Sequence, residues 1–441
     1  MISPRPAFLA LITFLIACGP SSAPPSGPER AIEPQPETGD TLRATTVRPA
    51  FLDTTFAVDT LPIGEKAPRL SPAHVQLAKG VGFDLRIPEG YELCVAAEGM
   101  ERLRFITEAP DGRLFLTDMH DLTDNHKGRV FILDGWDEGA GRFHERHTYL
   151  SGLHNPNQVA FYRDPKAGPD FLYVATTDKL LRYPYAEGDT VPSGPCTVVD
   201  TFPAYGLSYK YGGWHLTRSI AFHDGKLYVS VGSSCNACEE KEEVRATIIE
   251  MDPDGSNKRI YARGLRNAVG LQWVGDELYA TNMGSDQFGW EEPQDQLQRI
   301  VDGRHYGWPY YHQFKDHVVA DTAFLTGGVV ANGPPAPPNA YASLGAHTAP
   351  LGLDLFRGFH DADLNERFLV ALHGSSIVKM AKGYAIVSVK RHTSTRTIVD
   401  GFLQGKERFG RPCDVRMRDA DSFWFTDDLN GVLYLVRRKK S

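Results

Sequence analysis

Residues 114–118 read Leu-Phe-Leu-Thr-Asp, an apolar–aromatic–apolar core with a polar end, and a similar phrase occurs five more times. The second residues of the six cores are Phe115, Tyr173, Tyr228, Tyr279, Leu369 and Trp424. They are separated by 58, 55, 51, 90 and 55 residues. Four short strands at this period are typical of a propeller blade, because one twisted sheet cannot bury both of its faces alone. The sequence therefore predicts an all-β, six-bladed β-propeller over residues 83–441, with an insertion at about 310–347 in the longest interval.

The first eighty residues have a different character. Apolar residues run from residue 7 to residue 17, a length that suits a signal-peptide core and is too short to span a bilayer. The run ends in Leu-Ile-Ala-Cys-Gly, which resembles the bacterial lipobox and predicts removal of residues 1–17 and lipid attachment at Cys18. The alternative is an ordinary secretory signal with an incidental cysteine. Residues 18–80 are rich in Pro, Ser, Glu and Thr and predict a disordered tether.

This N-terminal pattern predicts an exported protein that is lipid-anchored to a bacterial membrane, on its periplasmic or extracellular face. With 47 basic and 55 acidic residues the net charge is −8, and the only basic run is at 437–440. The electrostatic footprint of a nucleic-acid-binding protein is missing, so no nucleic-acid partner is predicted.

Cysteine spacing gives two further expectations. Cys235 and Cys238 are close enough for a disulfide that pins their loop. The alternatives are a zinc site, which would need two more ligands, and a thioredoxin-like redox pair, which would need a βαβ context. The sequence has no Cys-x-x-Cys-His haem motif. The electron acceptor of any redox reaction is therefore expected to be a separate molecule.

Polar residues also stand where propeller strands enter or leave the central channel. Residues 213–218 read Gly-Trp-His-Leu-Thr-Arg, 264–270 read Gly-Leu-Arg-Asn-Ala-Val-Gly and 281–287 read Thr-Asn-Met-Gly-Ser-Asp-Gln. With Gly-Arg-His-Tyr-Gly-Trp-Pro at 303–309, these motifs resemble the soluble glucose/sorbosone dehydrogenases, six-bladed propellers that use pyrroloquinoline quinone (PQQ) and calcium. The resemblance covers residues 83–437. It implies a PQQ-dependent sugar dehydrogenase that passes a hydride from a sugar hydroxyl to the quinone.

The resemblance also implies roles for single residues. His215 matches the general base, and a neutral imidazole suits removal of the hydroxyl proton. Arg266 and Asn267 match the pair that contacts the quinone oxygens, where a guanidinium stabilises developing negative charge. Gly284 and Ser285 match the positions whose backbone carbonyls hold calcium, a cation that prefers oxygen ligands. Asp286 and Asp295 follow close behind them in the sequence.

Further cofactor contacts are implied in two other blades. Arg411 matches an arginine of the last blade that faces the cofactor's carboxylates, to which a guanidinium can offer two parallel hydrogen bonds. His154 and Asn155 fall near another cofactor-facing loop. The insertion at about 310–347 is expected to cover the channel mouth and shape the sugar pocket, because long loops in compact domains are usually functional.

Two other classes of protein remain open on this architecture. One is a calcium-dependent lactonase-like hydrolase, with carboxylates around one metal in the channel. The other is a non-catalytic propeller that binds protein or glycan, because the fold alone does not fix function.

Overall fold

The computed structural model describes residues 68–163, 170–204, 215–315, 317–330, 333–390 and 395–440. The predicted signal peptide, Cys18 and residues 18–67 of the predicted tether lie outside these ranges. No helix in the described ranges is both long and apolar enough to span a membrane.

The regular secondary structure of the described part is almost entirely β-strand, and the strands include six four-stranded antiparallel sheets arranged around an axis. The three strands that precede the first blade are β1 (Leu70–Gln76), β2 (Gly82–Pro88) and β3 (Tyr91–Ala97). Blade 1 contains β4 (Leu103–Glu108), β5 (Leu114–Asp118), β6 (Gly128–Asp137) and β7 (Arg142–Leu153). Blade 2 contains β8 (Gln158–Arg163), β9 (Asp170–Ala175), β10 (Lys179–Tyr185) and β11 (Thr197–Thr201). Blade 3 contains β12 (Arg218–His223), β13 (Lys226–Val231), β14 (Thr247–Met251) and β15 (Arg259–Arg263).

The second half of the ring repeats this plan. Blade 4 contains β16 (Ala268–Val274), β17 (Glu277–Asn282), β18 (Gln294–Ile300) and β23 (Ala342–Ala346). Between β18 and β23 lies an insertion with two short hairpins, formed by β19 (Tyr311–Phe314) with β20 (His317–Ala320) and by β21 (Leu325–Thr326) with β22 (Val329–Val330). Blade 5 contains β24 (Pro350–Phe356), β25 (Arg367–Leu372), β26 (Ala385–Val389) and β27 (Arg396–Val399). A small hairpin, β28 (Leu403–Gln404) and β29 (Glu407–Arg408), precedes blade 6, which contains β30 (Pro412–Asp419), β31 (Ser422–Asp427) and β32 (Val432–Arg438).

The six-bladed prediction is confirmed, and the repeated phrase is the second strand of each blade. The six anchor residues lie in β5, β9, β13, β17, β25 and β31. The innermost strands β4, β8, β12, β16, β24 and β30 each contact the next around the axis. The apolar residues of the phrase are buried between neighbouring blades, as in the clusters that join blades 1 and 2 and blades 4 and 5.

The ring closes by pairing the two ends of the domain. Strand β3 runs antiparallel to β32, with Tyr91 opposite Arg438 and Cys94 opposite Leu435, and completes blade 6. This pairing removes an exposed sheet edge.

The predicted boundaries need two corrections. Strand β1 falls inside the predicted tether and pairs with β2, and the backbone of Arg86 exchanges hydrogen bonds with Asp400 after β27. Folded structure therefore reaches back to residue 70, because Val75 and Leu77 find a core in blades 5 and 6. At the other boundary, β23 lies inside the predicted insertion 310–347 and is the fourth strand of blade 4. The insertion holds short hairpins and one 3₁₀ turn, Thr322–Phe324; a second such turn, Val378–Met380, lies in blade 5.

Candidate active site

The candidate residues gather at the end of the ring where innermost strands begin and second strands finish. On this face, a carboxylate or amide side chain at the end of the repeated phrase accepts a hydrogen bond from the backbone near the start of the innermost strand of the same blade. Asp118 Oδ1 accepts from Arg102 N at 3.0 Å, Asn282 Oδ1 from Asn267 N at 3.1 Å, and Asp427 Oδ1 from Arg411 N at 2.8 Å. Three blades thus use the same side-chain bond to hold the segment that carries a site residue.

His215 opens the third blade and has a left-handed backbone, with φ of 50°. Such a conformation is uncommon for a residue with a Cβ and is found at functional sites. Its Nδ1 lies 2.9 Å from Ser233 O and 3.0 Å from Ser233 Oγ. The Ser233 hydroxyl donates its own proton to Cys235 O, so both partners of Nδ1 are acceptors. Nδ1 therefore carries the proton of the neutral ring, and the lone pair is on Nε2.

The charge state of His215 follows from its surroundings. Part of the residue reaches solvent, but protein atoms crowd the ring. Burial, followed by the positive charge of Arg266, lowers the pKa of His215 to about 3. The imidazole is therefore neutral at ordinary pH.

Gly232 allows His215 and Asn267 to meet. A Cβ at residue 232 would lie 2.5 Å from Asn267 Oδ1 and 2.6 Å from His215 Cβ. Asn267 is buried, and its Nδ2 donates to Met283 Sδ at 3.3 Å. The candidate base and the candidate quinone contact are thus adjacent only because residue 232 has no side chain.

Arg266 is buried in a dense set of acceptors. Its Nη1 donates to Gly284 O at 2.8 Å, and its Nη2 donates to Asp286 Oδ2 at 3.1 Å. Asn236 takes two more bonds, from Nε to its carbonyl and from Nη2 to its Oδ1, both at 2.9 Å. We call Arg266, Asn236, Gly284, Asp286 and His347 the Arg266 cluster.

The disulfide loop supplies Asn236 to this cluster. Cys235 and Cys238 are joined by a disulfide. Asn236 Oδ1 also accepts from Asp286 N, its Nδ2 donates to Gln287, and its carbonyl accepts from Trp308 Nε1. The loop therefore ties blade 3 to blade 4 across the candidate site.

His347 closes the cluster from the segment after β23. Its Nδ1 lies 3.1 Å from Asp286 Oδ1, and its Nε2 lies 2.6 Å from Gly289 O. The hydrogen bond to Asp286 raises the pKa of His347 although burial opposes it. Burial raises the pKa of Asp286, but His347 and Arg266 outweigh it and hold that pKa below its usual value.

Arg411 belongs to a second charged group, on blades 1, 5 and 6. The Arg411 side chain donates to the carbonyls of His373 (3.1 Å) and Gly374 (2.6 Å). Nearby, the buried carboxylate of Asp428 accepts from Arg104 at 2.8 Å, lies 3.1 Å from Arg102 Nη1 and bonds to His373 Nε2 at 2.8 Å. These five residues, Arg411, Asp428, Arg104, Arg102 and His373, form the Asp428 cluster.

The Asp428 cluster is net positive. Burial, and then Arg411, lower the pKa of His373 to about 3, so the ring is neutral. Burial would raise the pKa of Asp428, but His373 and the arginines hold it well below the usual value. Three guanidinium groups therefore surround one carboxylate. Arg411 Nη1 makes no hydrogen bond to any residue in the described ranges, and Arg102 Nη1 is buried without hydrogen-bond geometry despite its short distance to Asp428.

His154 and Asn155 have their polar atoms engaged by neighbouring loops. His154 Nδ1 lies 2.9 Å from Asp178, and its Nε2 bonds to Asp124. Burial lowers the pKa of His154, but the two carboxylates outweigh burial and raise it. Asn155 accepts from Asn125 N and donates to Thr123 O. Neither ring nitrogen of His154 remains for a ligand, so the structure gives both residues a supporting role.

The predicted calcium positions are also engaged. Gly284 O accepts from Arg266, and Gly284 N donates to Asp295 Oδ1 at 2.7 Å. Ser285 Oγ lies 3.0 Å from His312 Nδ1, and His312 Nε2 lies 2.9 Å from Asp321 in the insertion. The side chains of Ser285, His312 and Asp321 are all buried. The carbonyl of Gly284 thus faces the guanidinium of Arg266, and the hydroxyl of Ser285 faces the imidazole of His312.

Beneath the polar face lies an apolar floor. Phe105, Val269, Leu351 and Cys413, one from each of four innermost strands, are buried together, and Met283 packs on them. The polar candidate site therefore lies next to an apolar cluster contributed by blades 1, 4, 5 and 6.

Sequence reasoning missed Asn236, His347, and the Asp428 cluster apart from Arg411. Thr426-Asp427 ends the sixth phrase as Thr117-Asp118 ends the first, and Asp428 follows directly, so this additional carboxylate was a signal available in the sequence. Asn236 lies between the two cysteines that were singled out. Nothing in the sequence marks His347, which reaches Asp286 across 61 residues.

These features define a class: a six-bladed β-propeller with an arginine-rich polar face over an apolar floor. Residues 205–400 match the family model described as Glucose / Sorbosone dehydrogenase. An uncharacterized protein of Borreliella burgdorferi is 31% identical over 398 residues, which cover 82% of this chain and 93% of that protein. The chain therefore belongs to the same family as the Borreliella burgdorferi protein, and its matched region makes it a sugar dehydrogenase-like propeller.

Solved structures with low identity share the fold. The holo form of the pyranose dehydrogenase PQQ domain from Coprinopsis cinerea has a TM-score of 0.65 at 16% identity, covering 82% of this chain and 98% of that chain. A calcium structure of a Trichoderma reesei family AA12 enzyme has a TM-score of 0.64 at 17% identity, covering 83% and 98%. The soluble aldose sugar dehydrogenase from Escherichia coli, in its apo form, has a TM-score of 0.56 at 13% identity, covering 79% and 100%.

Proposed function

We propose that this protein is a PQQ-dependent sugar dehydrogenase in which His215 is the general base. The observation that carries the proposal is the state of His215. Its ring is neutral, Nδ1–H is fixed on Ser233, and the lone pair that can accept a hydroxyl proton is therefore on Nε2. The family match over residues 205–400 includes this residue and Arg266.

The residues of the face suit an anionic, oxygen-rich cofactor. Among the described residues Arg411 Nη1 has no hydrogen-bond acceptor, and the Asp428 cluster to which Arg411 belongs is net positive. Guanidinium groups of this kind bind carboxylates well. When bound, PQQ supplies the acceptor for the hydride. Arg411 would hold its carboxylates, and Asn267 would contact its oxygens.

The chain's own residues then carry the proton and the charge. His215 Nε2 takes the proton of the sugar hydroxyl while the Ser233 carbonyl keeps the ring in one tautomer. The resulting imidazolium is disfavoured by burial and by Arg266, so this proton must pass on rapidly to solvent. Arg266 provides a fixed positive charge at the polar face, held in place by Asn236 and Asp286. Trp308, which lies just before the insertion, donates its indole N–H to the Asn236 carbonyl at 2.9 Å.

Reconstitution tests the proposal. Purified apoprotein is mixed with PQQ, and aldose-dependent reduction of a dye is measured. His215→Ala is expected to bind PQQ normally, by quenching of protein fluorescence, and to turn over about 10²–10⁴-fold more slowly. His126→Ala, which alters another histidine of the same face, is the control. Wild-type turnover in His215→Ala would contradict the assignment of the base.

The same assay separates the alternative functions. Hydrolysis of lactones in the absence of quinone would favour the calcium-dependent hydrolase. No quinone binding and no turnover would favour the binding propeller. Dye reduction also tests whether a separate electron acceptor is needed, as the absence of a haem motif in the sequence indicates.

We also propose that the protein is exported and lipid-anchored through Cys18. The support is the position of this cysteine directly after the apolar run at 7–17. Labelling with a radioactive fatty acid in a bacterial host tests it. The wild type should be labelled and fractionate with membranes, and Cys18→Ser should be unlabelled. An unlabelled, fully soluble wild type would rule out the anchor.

A further inference from the structure

The Gly284 carbonyl, where calcium is expected from the family resemblance, already contacts a cationic side chain of the protein, the guanidinium of Arg266. We propose that the guanidinium of Arg266 takes the place of calcium at Gly284, so that the face binds its ligand without a divalent metal. This inference deepens the proposed function and rests on it for the identity of the ligand. Three observations carry it.

The first observation is the environment of the carbonyl. Gly284 O would have to be a calcium ligand, but it accepts from Arg266 Nη1 at 2.8 Å. A divalent cation on the same oxygen would stand next to a buried guanidinium. Like charges at this distance in a buried site repel strongly. Arg266 cannot turn away freely, because Asn236 and Asp286 hold its other nitrogens.

The second observation is the commitment of the carboxylates. Asp286 divides its two oxygens between Arg266 and His347. Asp295 accepts from Gly284 N with one oxygen, and from Ala349 N (2.8 Å) and Thr348 Oγ1 (3.1 Å) with the other. Both acidic residues of this segment therefore already have partners. In the described ranges, two groups of His, Cys, Asp and Glu side chains have ligand atoms close enough together to share one ion. Neither Asp286 nor Asp295 belongs to either group.

The third observation is the side chain of Ser285. Its hydroxyl is bonded to His312, which Asp321 holds in turn. The buried Ser285–His312–Asp321 chain ties the segment 284–286 to the insertion and fixes its backbone. Asp286 also contacts Arg266 and His347, so the acidic side chain next to Ser285 already has two basic partners from the protein itself.

Calcium titration of the apoprotein tests the inference without quinone or turnover. Isothermal calorimetry and terbium luminescence should show no stoichiometric binding up to about 1 mM, the weak end of the affinities of extracellular calcium sites. PQQ binding, followed by fluorescence quenching, should be the same in EDTA and in calcium. One calcium bound per wild-type molecule, with affinity lowered by Asp286→Asn, would overturn the inference.

Removing the guanidinium should create the site that it blocks. Arg266→Met leaves Gly284 O, Asp286 and Asp295 without their cation, and should bind calcium at least about tenfold more tightly than the wild type, a difference of about 1.4 kcal/mol. The double variant Arg266→Met/Asp286→Asn should lose that gain. Arg299→Met, which removes a surface arginine paired with Glu277, is the matched control and should behave as the wild type.

The outcomes separate this inference from the proposed function. If Arg266→Met fails to fold, the comparison of wild type with Asp286→Asn still decides, because neither is expected to bind calcium. Absence of both calcium and quinone binding leaves the inference standing and removes the proposed function. Quinone-dependent turnover that requires calcium would support the proposed function and overturn the inference that Arg266 takes the place of calcium.

Discussion

His215 combines an uncommon backbone conformation with a ring that protein atoms keep neutral. The low pKa has two named causes, burial and the nearby charge of Arg266. Both act against the imidazolium, and neither depends on a bound ligand. The base is therefore ready for proton transfer at any pH at which the protein is expected to work.

We predict that His215 does not titrate between pH 5 and 8 in the ligand-free protein. In NMR spectra, its ring proton should shift only near pH 3, where the pKa lies. Arg266→Met should raise this pKa, because it removes a positive neighbour and leaves Asp286. A wild-type ring that is protonated at pH 6 would contradict the assigned environment.

The close approach of Gly232 to His215 and Asn267 gives a second prediction. In Gly232→Ala the new methyl group would overlap Asn267 and His215, which must both move. We expect a loss of about 1–3 kcal/mol of unfolding free energy, as is typical of overpacking, together with loss of turnover. Urea unfolding measures the first and dye reduction the second. Gly139→Ala, on the exposed turn between β6 and β7, is the control; equal stability of both variants would disprove the close approach.

The threonine of the repeated phrase explains how neighbouring blades are joined. In blade 1, Thr117 Oγ1 accepts from Phe105 N and donates to Asn157 O of blade 2. In blade 4, Thr281 accepts from Gly270 N and donates to Leu351 O of blade 5. Thr426 repeats the pattern between blades 6 and 1, with Asp414 N and Arg104 O. One hydroxyl thus satisfies a buried backbone group on each of two blades.

Replacing such a hydroxyl should cost more than its size suggests. Thr281→Val keeps the shape but leaves a buried N–H and a buried C=O without partners, and we expect a loss of about 1–3 kcal/mol for each group. Thr281→Ser keeps the hydroxyl and should lose much less. Chemical denaturation of the two variants checks this. Equal losses would mean that packing of the methyl group dominates at this position.

Several features of the fold could be predicted because their signals are local. The apolar core of the phrase marks the second strand of each blade directly, and in blades 1 and 6 the interblade hydroxyl and the capping carboxylate lie within the same five residues. Strand β1 could not be recognised in a Pro-rich segment, because its burial depends on blades 5 and 6. Among the site residues, His154 is engaged by Asp124 and Asp178, which are 30 and 24 residues away. The bond between Gly284 and Arg266 likewise depends on how the strands of blade 4 meet.

The whole ring depends on one pairing between distant parts of the chain. Strand β3 is held by β32, and both contribute to the cores on either side of blade 6. We predict that a chain starting at residue 68 unfolds at the same urea concentration as the full chain, because all described sheet pairings are retained. A chain starting at residue 99 lacks β1, β2 and β3 and exposes the edge of β32, and it should aggregate or unfold at much lower urea than the chain starting at residue 68. A monomeric, equally stable protein starting at residue 99 would show that the closure is dispensable.

The apolar floor of Phe105, Val269, Leu351 and Cys413 has a kinetic consequence. Because this apolar cluster adjoins the polar face, we expect the sugar and the electron acceptor of the proposed reaction to approach from that face, and the oxidised sugar must leave before the acceptor can bind. The two half-reactions would take turns at one entrance. Double-reciprocal plots at several acceptor concentrations should then be parallel lines, the signature of a ping-pong enzyme, and a sugar in large excess should compete with the acceptor for the way in.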